Sequence, residues 1–408
     1  MAIIEDRPAL AGRMSRIKES PSSRVADRVR EFQAAGREVL PLTIGEPDFD
    51  TPEHVKEAAI AAIRAGETKY TSANGTPALR AAIRERLLRK TGLACGPDEI
   101  CVGGGAKQLI FLAFLATLDE GDEVIVPTPH WVSYPDMVTV NGGHPVLVET
   151  GAETGYKLTA GALRAAITDR TKWLVLNTPC NPTGAVYDEA ELESLVEVLR
   201  THPHVSVLCD EIYDEINFGA RPVPSAITVA PELRERIFLV NGVSKAYAMT
   251  GWRIGYGAGS ATLCAAISTL QSQSSSCPSS VSQAAAAAAL HGGSEFIEET
   301  VAVYRERRDL LVSGLSAIDG LRPIVPAGGF YVWTDVSALL GSTTPDGRRI
   351  DTDSELAEHF LETAGVVVIP GDSYGAPGHF RASFALNSEV LRKAVSGLAH
   401  AVSRISRA

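Results

Sequence analysis

Short apolar runs alternate with helix-length segments through the middle of the chain, and this alternation predicts an architecture before any single residue does. Seven runs read as strands: 99–103, 123–127, 145–149, 173–177, 205–210, 237–241 and 253–257. Several are nearly continuous in Val, Leu and Ile, the pattern of strands covered on both faces. Segments 79–91, 107–118, 158–167 and 189–200 have helical length and separate most of the strands. Strand–helix alternation predicts an α/β domain on a mostly parallel, seven-stranded sheet.

After about residue 290 the texture changes. A long charged helix near 294–316 precedes strand-like pieces at 331–335, 366–370 and 379–384, which predicts a smaller α+β domain. The expected boundaries are 46–292 for the large domain, and 1–45 with 293–408 for the small one. No repeat of 20–50 residues and no long Gly/Ser linker interrupts the pattern.

The chain has 408 residues, 45% of them apolar, ample for one large core and a smaller one. Its net charge is -11 and no Lys/Arg block stands out, so neither nucleic acid nor an anionic membrane is an expected partner. The apolar stretch 284–290 is too short and Ala-rich to span a bilayer and reads as helix. The first residues lack a basic segment followed by an apolar one, so no signal peptide is expected. The six cysteines include no CxxC pair, which gives no support to a metal or redox motif, and a reducing cytoplasm is the simplest compartment.

The densest chemistry lies in residues 242–253, Gly-Val-Ser-Lys-Ala-Tyr-Ala-Met-Thr-Gly-Trp-Arg, directly after the apolar run 237–241. Lys245 stands just past a buried strand among small residues, and Arg253 follows eight positions later. A desolvated lysine has a lowered pKa and forms Schiff bases with carbonyls. A guanidinium offers a phosphate a fixed fork of donors. Together the two point to pyridoxal phosphate (PLP), which presents an aldehyde and a phosphate.

Other residues extend this constellation, each with an ordinary alternative. Asp210 ends run 205–210, and ligands of parallel sheets bind outside the carboxyl ends of strands. A carboxylate there can keep a cationic ring nitrogen protonated, or simply cap a helix. Tyr213, three residues on, can bond a ring oxygen. Asn181 sits in the Pro- and Gly-stiffened loop 177–184, which equally makes a plain turn. The run Gly103-Gly104-Gly105-Ala106-Lys107-Gln108 opens an apolar helix, where small residues let backbone amides approach a phosphate. It fits neither GxxxxGK[ST] nor GxGxxG. Lys107 opposes the helix dipole at that point, which hints at a ligand anion or at solvent. Trp131 can stack on a flat ring or fill a core. Arg381, inside a strand-like run, needs an anionic partner, either a ligand carboxylate or a structural acid.

Taken in chain order, these segments resemble the fold-type I PLP enzymes, and within them the class I aminotransferases of the bacterial aspartate aminotransferase branch. The likeness runs along nearly the whole chain. It includes Leu42-Thr-Ile-Gly45-Glu-Pro-Asp-Phe-Asp50-Thr-Pro52, Lys69-Tyr70, Gly105-Ala106-Lys107, Trp131, Asn181-Pro-Thr-Gly184, Asp210-Glu-Ile-Tyr213, Ser244-Lys245, Arg253 and Arg381. By that resemblance Lys245 would hold PLP as a Schiff base and shuttle the substrate's Cα proton. Asp210 would pair with the pyridinium nitrogen, and Tyr213 and Asn181 would bond the ring oxygen. Ser244, Arg253 and the amides near Gly105 and Ala106 would hold the phosphate. Trp131 would stack on the ring, while Arg381, Asn181 and the Gly45 backbone would bind a substrate α-carboxylate. Tyr70 would reach the phosphate from a neighbouring subunit, which implies a homodimer with shared active sites. The implied reaction is ping-pong transfer of an amino group between an L-amino acid and a 2-oxo acid.

In this branch the lysine matching Lys107 reads a distal carboxylate, which favours aspartate or glutamate. Three positions bear on the donor: His130 where relatives often have tyrosine, Cys180 in place of a more usual polar residue, and Arg24 near a region expected to cover the site. The same cofactor-holding residues would also serve β-elimination, deamination or oxidation. A non-catalytic PLP-binding regulator would carry a DNA-binding module, and the residues before Gly45 show no helix-turn-helix pattern or basic stripe.

Overall fold

The computed structural model describes residues 10–17, 29–32, 34 and 36–407. Its centre is a seven-stranded sheet formed by β1 (Ile100–Gly103), β2 (Glu123–Thr128), β3 (His144–Glu149), β4 (Thr171–Asn177), β5 (Ser206–Asp210), β6 (Ile237–Gly242) and β7 (Gly255–Ala258). The spatial order is β1-β7-β6-β5-β4-β2-β3. Only β7 runs against its neighbours, β1 and β6; every other pairing is parallel. The molecule is thus α/β with a mostly parallel seven-stranded sheet, as the alternation predicts.

Side chains of the central strands alternate between two cores. Leu174, Val207 and Leu239 join one apolar cluster, while Trp173, Leu208 and Phe238 join the cluster on the opposite face. Both faces are therefore dry, which is why these runs read as continuous Val, Leu and Ile. Edge strand β3 is the exception, partly exposed along its length.

The helices obey local rules. In α1 (Pro77–Thr91) the Thr76 side chain accepts from the Leu79 amide, Pro77 opens the first turn and Gly92 ends the helix in the left-handed region. Helix α2 (Ala106–Thr117) follows Gly105 and has no side-chain cap. In α3 (Glu189–Arg200) Asp188 and Glu191 form a reciprocal capping box. The segment expected to be helical from 158 begins only at Ala160, because Thr159 caps the Ala162 amide instead of entering the helix.

A third apolar cluster is built on α4 (Glu295–Ser316), α5 (Asp353–Ala364) and α6 (Ser388–Ser403). These pack on a four-stranded antiparallel sheet of β8 (Arg322–Pro323), β9 (Tyr331–Asp335), β10 (Ile369–Pro370) and β11 (His379–Ser383), ordered β10-β11-β9-β8. The run expected as one strand over 366–370 is two. Val366–Val367 pairs in parallel with Leu40–Pro41, and the chain then switches sheets at Val368. Arg253, expected in a strand, instead lies in the left-handed turn before β7 (φ 56°), after a short 3-10 turn at Thr250–Trp252. That turn points its guanidinium back toward α2.

Candidate active site

The carboxyl ends of β4, β5 and β6 converge on a cavity of about 410 Å³. The register places Asn177 beside Asp210, so two polar side chains leave adjacent strands at one level. All the sequence-predicted site residues line this cavity except Gly105, which backs onto Arg253, and Tyr70. Tyr70 is 88% exposed and lies in a surface depression with Lys69 and Cys277. Within one chain, then, the structure does not bring Tyr70 to the others.

Lys245 is half-buried and its Nζ donates to the Gly45 carbonyl at 2.7 Å. Burial pushes its pKa down to about 8; Arg253 and Arg381 add to the effect, while Glu46 and Asp210 oppose it. About one such amine in ten is the neutral nucleophile at pH 7. Asp210 is buried, and burial raises its carboxyl to about 6 against the bonds it receives. Those bonds are Tyr134 Oη to Oδ2 at 2.7 Å and the Ile212 amide to Oδ1 at 3.2 Å. Tyr134 is itself fully buried, so the carboxylate is held from behind by a phenol with nowhere else to turn.

Two guanidiniums mark the two ends of the cavity. Arg381 is buried; Nη1 donates to Asn181 Oδ1 at 3.0 Å and Nη2 to the Thr43 carbonyl at 2.9 Å. Its guanidinium carbon lies 4.0 Å from the centre of the Tyr331 ring and 5.4 Å from that of Tyr374, and its Nε has no hydrogen-bond partner among the described residues. Cation–π contacts of this kind hold a guanidinium in place without consuming its donors. At the other end, Arg253 donates to the carbonyls of Thr250 (2.9 Å) and Gly104 (3.1 Å). The approach needs two glycines. A Cβ on Gly105 would sit 2.3 Å from Arg253 Nη2, and one on Gly255 would strike the Ala106 amide nitrogen at 2.2 Å. Lys107 reaches the cavity from the first turn of α2, 4.7 Å from the centre of the Trp131 ring. Burial and then Arg253 lower its pKa. Among the described residues it meets no carboxylate.

Tyr213 bonds Tyr331 Oη at 3.1 Å. The sequence reading did not single out Tyr134, Tyr331, Tyr374, Thr43 or Asn177. For Tyr134 a signal existed, since it closes the same 129–134 segment as Trp131. His130 and Cys180 do not line the cavity. His130 Nδ1 donates to the Trp131 carbonyl (3.1 Å), and burial lowers its pKa. Cys180 Sγ faces the Pro129 carbonyl. Arg24 lies outside the described residues.

Next to Asp210, Glu211 is buried against Ser225, whose hydroxyl donates at 2.5 Å. Burial pushes its carboxyl up to about 8. A raised folded pKa means the native state holds the proton more tightly than the unfolded chain does. The corresponding stability is full below the ordinary carboxyl range and disappears as pH rises through about 8. Glu211→Gln, which needs no proton, is therefore expected to gain melting temperature over the wild type as pH goes from 5 to 9 in thermal denaturation. A constant difference would show that Glu211 does not titrate in this range.

A nucleophilic amine, a buried carboxylate and two guanidiniums around one cavity define an enzyme site for small molecules that carry several negative charges. Known proteins narrow this. The family model for class I and II aminotransferases matches residues 37–398. An aspartate aminotransferase of Rhizobium meliloti (strain 1021) is 48% identical, over 97% of this chain and 97% of that protein. An aspartate/prephenate aminotransferase of Cereibacter sphaeroides is also 48% identical, over 94% and 96% of the two chains. Among solved structures, an aspartate aminotransferase of Rhizobium meliloti superposes with a TM-score of 0.95, covering 98% of this chain and 100% of that one. The Thermus thermophilus aspartate aminotransferase with maleate gives 0.90 at 42% identity, covering 97% and 100%. This chain belongs to the class I and II aminotransferase family, in its aspartate aminotransferase-like branch. It is a transferase that moves an amino group between an amino acid and a 2-oxo acid.

Proposed function

We propose that this aminotransferase works with pyridoxal phosphate and takes an acidic L-amino acid, aspartate or glutamate, as donor. The observation that carries the reading is the opposed pair in one cavity, the Lys245 amine with its pKa near 8 and the buried, phenol-held carboxylate of Asp210. The residues fit the cofactor. The uncapped first turn of α2, Ser244 and Arg253, which the missing Gly105 side chain lets approach that turn, together make a cradle for a phosphate. Asp210 would face the ring nitrogen, Tyr213 and Asn181 the ring oxygen, and Trp131 the ring face. When bound, PLP supplies an aldehyde that captures amines and a protonated ring that accepts the electron pair released at Cα.

The chain's own groups then divide the work. Arg381, held by Asn181 and its aromatic neighbours, fixes the substrate α-carboxylate by a two-donor contact. Lys245 takes the proton from the substrate Cα and later returns one, with a pKa suited to both directions near neutral pH. Lys107, a cation in the cavity that meets no acidic partner among the described residues, takes the second carboxylate of a dicarboxylic substrate. The Thermus thermophilus enzyme was solved with maleate, itself a dicarboxylate, which supports this choice. The name of the Cereibacter sphaeroides relative adds prephenate as a second acceptor to test.

We also infer the quaternary and domain arrangement. Tyr70, exposed on a single chain, supports a homodimer in which it completes the partner's phosphate site. The apolar clusters support a large body over 46–292 and a small one over 1–45 with 293–408, with Ile212, Tyr213, Ile216 and Phe218 of the large body packed into the small body's cluster. No described helix is long and apolar enough to cross a membrane. We place the protein in the cytoplasm, where its six cysteines, all free, stay reduced.

The test is a pair of half-reactions followed by visible absorption under anaerobic conditions. L-aspartate or L-glutamate is expected to remove the band of the PLP-loaded protein, and oxaloacetate, 2-oxoglutarate or prephenate to restore it. Ammonia release without keto-acid turnover would contradict transamination. Lys107→Ser is expected to lower kcat/KM for aspartate by about 10-fold or more while sparing alanine, because a charged hydrogen bond contributes about 1.5–3 kcal/mol. Equal losses for both substrates would remove Lys107 from the distal carboxylate.

A further inference from the structure

Behind the loops that carry Tyr213, Lys245 and Arg253 lies a buried charge cluster that no part of the site requires for contact with a ligand. Arg86, on α1, is 7% exposed. Its guanidinium donates from Nε to Tyr256 Oη (3.0 Å), from Nη1 to Tyr247 Oη (3.4 Å) and from Nη2 to Glu215 Oε1 (2.6 Å). Asp214 Oδ1 lies 3.8 Å from Nη2. Lys90, one turn further along α1, donates to Asp214, and Asn241 Nδ2 donates to the same carboxylate at 2.8 Å. None of these side chains lines the catalytic cavity.

Each partner is close in sequence to a residue that does. Asp214 and Glu215 directly follow Tyr213, Tyr247 is two positions past Lys245, and Tyr256 is three past Arg253. Asn241 stands three before Ser244. A single guanidinium therefore ties together three separate segments that approach the site from different strands. Its fork is planar and rigid, so the three bonds fix relative positions as well as distance. The two cations, Arg86 and Lys90, balance Asp214 and Glu215, so the buried Arg86 and Asp214 are compensated while Lys90 and Glu215 stay partly exposed.

We propose that Arg86 is a positioning residue that sets the spacing of the Tyr213, Lys245 and Arg253 segments across the site. The inference rests on the PLP reading above. Misplacement of reacting groups by about 1 Å can cost on the order of a hundredfold in rate, whereas the cofactor's own attachments remain in place. A lysine at this position keeps the charge but, as a point donor, loses the fork.

The experiment uses PLP-loaded enzyme. Arg86→Lys is expected to keep the far-ultraviolet circular dichroism and the bound cofactor. Its kcat should fall by roughly ten- to a hundredfold, with KM for the amino donor nearly unchanged. The visible circular dichroism of the cofactor, which reports ring orientation, should change. Tyr247→Phe removes one bond, leaves every charge, and should show a smaller loss in the same direction. If Arg86→Lys does not fold, Tyr247→Phe and Tyr256→Phe decide by the same readouts. Wild-type kcat and visible dichroism in these variants, with only a lower melting temperature, would make the cluster a structural ion pair and overturn the proposal. Wild-type protein that shows no visible band after PLP addition would overturn the PLP reading, and this inference with it.

Discussion

Lys245→Ala is expected to leave a folded protein with no amino transfer, turnover falling by about 10⁴-fold or more. Two functions leave with one side chain, the nucleophile that anchors a carbonyl and the base that moves the Cα proton. Folding should survive because, among the described residues, the hydrogen bond from Nζ goes to the Gly45 carbonyl at the open cavity, where water can replace it. A lysine pushed down to about 8 by burial also adds no stability at neutral pH that alanine would forfeit. The check is visible absorption of the PLP-treated variant together with a coupled transamination assay and a thermal melt. Near wild-type turnover would show that another lysine does the work.

Arg381→Lys should have the second largest effect, a loss of about 10²- to 10³-fold in kcat/KM for every amino donor, acidic or not. The argument is geometric. Arg381 bonds Asn181 and the Thr43 carbonyl at once and is sandwiched by Tyr331 and Tyr374, so its remaining donors are aimed before substrate arrives. Each charge-assisted hydrogen bond contributes about 1.5–3 kcal/mol, and a lysine ammonium can satisfy neither the planar fork nor the aromatic stack. Steady-state kinetics with aspartate and alanine checks this. A loss confined to aspartate would assign Arg381 to the distal carboxylate instead and exchange its role with that of Lys107.

The two expectations differ in how far they were legible in the chain. Lys245 announces itself, since a lysine among small residues directly after a dry strand has few other uses. Asp210 was visible for the same reason, at the end of a run whose register later set it beside Asn177. Arg381 could be flagged as out of place in a strand, but its aromatic sandwich could not. Tyr331 is its neighbour across the β9–β11 pairing region, and Tyr374 comes from a turn that precedes β11. Tyr134 supports Asp210 across 76 positions and Arg86 meets Tyr256 across 170, and neither carries a local motif.

Some local readings also needed correction by their surroundings. Arg253 belongs to a strand by hydrophobicity, yet a left-handed turn places it against Gly105. His130 and Cys180, singled out as departures that bear on substrate choice, face the backbone outside the cavity wall. Tyr70 sits away from the other site residues in a single chain, so its role turns on a second copy.

What the chain determined by itself is short-ranged. Strands buried on two faces show as unbroken apolar runs, and helices show their ends through residues such as Thr76, Asp188 and Gly92. The glycines that admit a close approach also stand in the sequence, although not what approaches them. Tertiary structure decided every partnership between distant segments: which phenol holds Asp210, which rings hold Arg381, and which loops share the Arg86 fork. The reason is physical. Backbone propensity and burial pattern act over a few residues, whereas a hydrogen bond or ring contact depends on where folding brings two side chains, such as Tyr134 and Asp210 or Arg86 and Tyr256, which are 76 and 170 positions apart.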